Sequence, residues 1–76
     1  MNLDQLEPGQ TSTIIALEGT HQTAGRLAEL GLIPGEEITV LQKAPLGEPL
    51  KIHIMNYDLC LRKAEASAIR VNPVSP

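Results

Sequence analysis

The chain has no phenylalanine and no tryptophan, and Tyr57 is its only aromatic residue. Its 76 residues must therefore build an interior from Leu, Ile, Val and Ala, close to the smallest size at which a hydrophobic core suffices unaided. The same lack removes the stacking platforms that bind single-stranded nucleic acid and the ring-lined groove that grips proline-rich peptides. Cations are also few: six Lys and Arg against nine Asp and Glu leave a formal net charge of −3. Affinity for nucleic acid rests on neutralising phosphates, so no nucleic-acid partner is expected. A single cysteine, Cys60, excludes an intramolecular disulfide and suits a reducing compartment. No apolar run approaches the roughly 20 residues that span a bilayer, and no charged-then-apolar leader opens the chain. Direct membrane insertion is not expected, and a cytoplasmic location is.

Catalytic signatures are missing too. The chain contains no Gly-x-Ser-x-Gly, no P-loop and no Gly-x-Gly-x-x-Gly. Cys60 lies between Leu59 and Leu61, with Arg62 as the one nearby cation, a poor setting for a reactive thiolate. Neither an enzymatic activity nor an enclosed cofactor pocket is expected at this length.

What is present is clear punctuation by glycine and proline. Thr20 is placed to cap a helix over residues 21–30, whose expected buried face is Ala24, Leu27 and Ala28 at i, i+3 and i+4 spacing. Gly25 weakens this helix, and a close approach of a neighbouring element is the expected reason for it. Gly31 falls just past the C-cap, where a left-handed backbone is needed, so Leu32 can fold back on Leu27. Ile33-Pro34-Gly35-Glu36 then reads as a type II turn, with proline at its second position and glycine at its third. Glu7-Pro8-Gly9-Gln10 repeats the device near the N-terminus, where Leu3 and Leu6 are expected to pack under the sheet.

Each turn precedes a β-rich run, Thr11–Leu17 and Glu37–Lys43. Leu50–Ile54 and Tyr57–Leu61 read as a hairpin about Met55 and Asn56, with Asn56 suited to a positive φ. That register opposes Leu50 to Leu61, Ile52 to Leu59 and Ile54 to Tyr57, leaving Lys51, His53, Asp58, Cys60 and Arg62 on the other face. Residues 63–66 suffice for one helical turn, and 68–71 for a last strand. Five short strands with one inserted helix predict a mostly β, partly open barrel. It forms a single domain over 1–76, with its core at 3–71 and a frayed tail at 72–76.

The order of these fragments resembles the FeoA family of small ferrous iron transport accessory proteins. The resemblance runs through Arg26-Leu27, Glu29-Leu30-Gly31-Leu32, Pro34-Gly35, Ala44-Pro45-Leu46-Gly47-Glu48-Pro49, Leu59-Cys60-Leu61-Arg62-Lys63, Glu65-Ala66 and Ile69-Arg70-Val71. It implies an SH3-like β-barrel and a non-catalytic accessory or regulatory role in ferrous iron uptake. The implied partner is the cytoplasmic, GTP-binding part of a membrane iron transporter of the FeoB type, which would recruit the chain to the inner face of the membrane. A similar fold closes metal-dependent transcriptional repressors, but no helix-turn-helix segment is present here.

Two candidate sites follow. For partner binding, the loop Pro45, Leu46, Gly47, Glu48, Pro49 is rigid and presents an apolar anchor, and Arg26 with Glu29 lies off the buried stripe of the helix. For a metal, His53 and Asp58 oppose each other across the hairpin with Cys60 diagonal to His53, while His21 is expected to face solvent. The alternative reading is thus a small metal-binding or metal-sensing protein with weak divalent metal affinity. An exposed strand edge also allows a homo-oligomer.

Overall fold

The alternation in Leu50-Lys51-Ile52-His53-Ile54 becomes a strand whose apolar residues are buried and whose polar ones are exposed. The same logic organises the computed structural model, which describes residues 1–73. A 3₁₀ turn at Leu3–Gln5 leads to β1 (Thr11–Leu17), α1 (His21–Glu29), β2 (Glu37–Lys43), β3 (Leu50–Ile54), β4 (Tyr57–Leu61), α2 (Lys63–Ser67) and β5 (Ile69–Val71). The strands form one antiparallel sheet in the order β4-β3-β2-β1-β5. Among the described residues no helix is long and apolar enough to cross a membrane.

The sheet curls because β1 serves two partners. Thr11 to Thr13 pair with β2, and Ile14 to Leu17 pair with β5, with an irregularity between Ile14 and Ala16. β2 carries a second irregularity between Val40 and Gln42. An extra residue at each place bends its strand and is left without a ladder partner. These residues are Ile15 and Leu41, which explains why two large aliphatic side chains of strands are 42% and 41% exposed.

Inside the curl, the core consists of Leu, Ile, Val and Ala alone, as the shortage of aromatics predicts. Leu3 and Leu6 are fully buried against it. The N-terminal segment also covers the outer side of β5, where the Val71 amide donates to the Met1 carbonyl at 2.8 Å and Asn2 bridges Arg70. Asn72, expected to fray, is instead held on β1: its amide donates to Thr13 at 3.0 Å and its carbonyl accepts from Ser12 Oγ at 2.6 Å. The rest of the expected tail, 74–76, lies outside the described residues.

Both glycine turns form as read. Gly9 and Gly35 have φ of 91° and 96°, and the Gln10 and Glu36 amides close the turns on Glu7 and Ile33. At the end of α1, Gly31 takes φ of 92° while the Leu32 amide donates to Leu27 and the Gly31 amide to Ala28, both at 3.0 Å, a complete Schellman closure. Tyr57 adds a donor from the hairpin, its hydroxyl bonding the Leu30 carbonyl that the helix end leaves free. Thr20 caps the other end by accepting from the Thr23 amide at 3.1 Å.

Three local expectations need correction. The buried face of α1 is narrower than the spacing implies: Leu27 is buried, Ala24 half-buried and Ala28 exposed. The helix therefore touches the sheet along a line, reached by the long leucine and missed by the second alanine. Gly25 is exposed and a Cβ there would meet nothing within 4 Å, so no neighbour presses on it. Its replacement by alanine should therefore raise stability by about 0.5 to 1 kcal/mol, by removing backbone freedom from the unfolded chain. A urea midpoint no higher than that of the parent would refute this. In the hairpin the register is as expected, but the left-handed residue is Met55, φ 55°, and not Asn56.

Candidate functional site

The loop between β2 and β3 is built by its prolines and by Gly47. The Gly47 amide donates to the Ala44 carbonyl at 2.8 Å with φ of 85° at the glycine, and the Ala44 amide donates to Pro49 at 3.3 Å. The Glu48–Pro49 peptide is cis. Leu46 projects from this closed loop and is 88% exposed, the most exposed large apolar side chain described. Glu48 ties the loop to α2, its Oε2 accepting from the Lys63 amide at 2.9 Å. That bond satisfies a donor at the start of α2, and the Lys63 side chain lies over Gly47. The expectation of a rigid loop with an exposed leucine is thus met by specific hydrogen bonds.

Arg26 and Glu29 are both exposed on α1, off the line of Leu27. Arg26 Nη1 lies 3.6 Å from Glu65 Oε2 of α2. Glu65 uses its other oxygen to accept from the Arg62 amide at 2.9 Å. Arg62 and Glu65 belong to the stretches that carry the family resemblance, but neither stood among the candidate site residues. Arg62 lines a cleft with Glu48 and Pro49, and a second one with Gln22, Thr23, Arg26 and Glu65. The loop and the helix face, read as separate candidates, are therefore joined through the N-cap of α2.

The proposed metal ligands are only partly assembled. His53 and Asp58 are paired in the ladder, with Nδ1 and Oδ1 2.7 Å apart. Thr39 is the neighbour of His53 on β2, and its hydroxyl bonds that of Thr11 at 2.7 Å, so a polar row crosses four strands on the outer face. Cys60 stands outside this row. It is exposed, opposes Lys51, and shares a cleft with Gln42, Ala44, Pro49 and Lys51. Among the described residues no group of three His, Cys, Asp or Glu is placed to hold a metal ion. Two ligands fall short of the three or four protein donors of a zinc site, and diagonal neighbours on a sheet are about 7 Å apart. His21 begins α1 and is exposed, away from the pair.

Comparison with known proteins identifies a family. A family model described as the FeoA domain matches residues 1–73. Over 75 residues the chain is 37% identical to a fusion of Fe(2+) transport protein A with the Fe(2+) transporter FeoB from Porphyromonas gingivalis; the match covers 99% of this chain and 9% of that one. Iron(II) transport protein A of Clostridium thermocellum superposes with a TM-score of 0.88 at 42% identity, over 97% of this chain and 46% of that one. The chain thus spans less than half the length of either relative. FeoA of Stenotrophomonas maltophilia, solved with zinc and described as a procaryotic SH3 domain protein, gives 0.84 at 32% identity, over 95% and 89% of the two chains. The curled five-stranded sheet is accordingly SH3-like, and the family match spans every element from the first turn to β5: the chain belongs to the FeoA family.

Proposed function

We propose that the chain is a non-catalytic accessory of ferrous iron uptake, acting in the cytoplasm by docking on the cytoplasmic part of a FeoB-type membrane transporter. The observation that carries this reading is the P. gingivalis relative, in which a domain 37% identical to this chain is covalently joined to the transporter. Fusion of two domains holds them at a high effective concentration, which is useful where the separate proteins associate weakly. The exposed Leu46 on its hydrogen-bonded loop is the anchor for that contact, since a rigid loop loses little entropy on docking.

An affinity pull-down of the tagged chain from detergent-solubilised membranes of its own host tests the proposal. Mass spectrometry should identify the iron transporter among the retained proteins. Leu46→Asp should abolish retention while changing stability by no more than about 0.5 kcal/mol, because the side chain is already in water. Absence of the transporter from the eluate, when it is shown to be folded in the extract, would count against docking.

A second reading, weak divalent metal binding, draws support from the His53–Asp58 pair and from the zinc in the S. maltophilia relative. Calorimetric titration with Fe²⁺ and Zn²⁺ decides it, and absence of heat at micromolar protein removes it.

A further inference from the structure

The chain is acidic overall, yet three of its six cationic side chains, Arg26, Arg62 and Lys63, gather where α1, the N-cap of α2 and the 45–49 loop meet. Two of the others are engaged elsewhere. Lys43 Nζ donates to the Asp4 carbonyl at 3.0 Å and lies 3.9 Å from Glu7, and Arg70 lies 3.5 Å from Glu18. At the meeting point, Glu65 is only 14% exposed and uses both its oxygens, one on the Arg62 amide and one towards Arg26. Glu48 likewise has an oxygen committed to the Lys63 amide. Both carboxylates keep their charge, so the three cations exceed the two anions by one, and only Arg26 is in contact with either through its charged group. Arg26 is 72% exposed and offers one nitrogen to Glu65, and Arg62 makes no ion pair among the described residues.

Two small clefts lie among these residues. The cleft lined by Gln22, Thr23, Arg26, Arg62 and Glu65 measures about 260 Å³, and the one lined by Glu48, Pro49 and Arg62 about 330 Å³. The two adjoin through Arg62, which lines both. An extended peptide laid across Arg62 would present alternate side chains, about 7 Å apart, to the two clefts. Guanidinium groups bind carboxylates in bidentate fashion with good geometric selectivity.

We infer that this double cleft receives the carboxylate side chains of an extended acidic segment of a protein partner, gripped by the guanidinium groups of Arg26 and Arg62. The inference rests on the docking role proposed above and names the chemistry of the docked segment. It also explains how a chain of net charge −3 can select an acidic partner. General repulsion suppresses contacts elsewhere on the surface, and attraction is confined to one place, which fixes the register of docking.

The test does not need the transporter. The isotope-labelled full chain is titrated by NMR with a hexaglutamate peptide, with a hexalysine peptide and with inorganic phosphate. Hexaglutamate should move the amides of Gln22, Thr23, Arg62 and Glu65 and the side-chain signals of Arg26 and Arg62, and hexalysine should not. Arg62→Ala, which leaves the capping backbone amide in place, should weaken hexaglutamate binding about tenfold, while Lys51→Ala should leave it unchanged. Shifts spread over the surface, or equal weakening by Lys51→Ala, would overturn the inference. Phosphate that reproduces the same shifts at similar concentration would also overturn it, as a free-anion site. In the pull-down, Arg62→Glu should lose the transporter. Its retention would refute the acidic-segment contact while leaving docking intact. Failure of the parent chain to retain the transporter counts against docking, and the peptide titration still decides the cleft.

Discussion

Leu27→Ala should lower the unfolding free energy by about 3 kcal/mol, the middle of the range for a fully buried leucine. Leu27 is 0% exposed and is the one buried residue of α1. A nine-residue helix is too short to persist by its own hydrogen bonds, and this helix reaches the core through a single side chain. Truncation therefore removes the transfer energy of the side chain, leaves a cavity, and releases the clamp that seats the Schellman closure. For a domain of this size the melting temperature should fall by about 12 to 24 °C. Thermal unfolding followed by circular dichroism gives the answer, and a loss under about 1 kcal/mol would show that α1 is held by something other than Leu27. Arg26 rides on the same helix, so the double cleft should loosen together with it.

Gly31→Val should cost about 2 to 3 kcal/mol, from backbone strain and crowding together. At φ of 92° a β-branched residue is strained in any surroundings. A Cβ there would also lie 3.2 Å from Met55 Cε and 3.4 Å from Tyr57 Oη. The methionine end can swing aside, whereas the tyrosine hydroxyl is tied to the Leu30 carbonyl. Gly35→Ala isolates the backbone part. Its φ is 96° with no atom within 4 Å, and it should cost only about 1 kcal/mol. Urea midpoints for the two variants compare the terms directly. Equal losses would mean that the hairpin tip does not press on the helix end.

Local chemistry made most of the fold legible in the sequence. The strands β1 to β4, both Pro-Gly turns, the Thr20 cap and the Gly31 closure each depend on residues within a few positions of one another. The hairpin register followed from placing the two-residue turn at Met55 and Asn56. What stayed hidden depends on distance through space. Ala28 has the spacing of a core residue, and only the angle at which α1 meets the sheet leaves it exposed. Gly25 looked like a contact and is open space. The site was legible in its parts: Arg26, Leu46 and Glu48 stood out, and the residues that join them did not. Arg62 and Glu65 carried one visible hint, a carboxylate three residues after an N-cap position, which marks a helix start. Their proximity to Arg26 bridges separations of 36 and 39 residues that no local pattern encodes.

The bond from the Val71 amide to the Met1 carbonyl, with the pairing of β5 on β1, imposes an order in time on a chain made from one end. The β3–β4 hairpin needs only 12 residues, from Leu50 to Leu61, and can form as soon as it leaves the ribosome. β1 must wait for its second partner until residue 71 has been translated, since Ile14 pairs with Val71. Until then one side of an aliphatic strand stays unpaired, during the interval when nascent chains are most exposed to wrong partners. Synthesis of this domain thus ends with its longest-range closure, and its solubility as a nascent chain depends on how briefly that edge is left open.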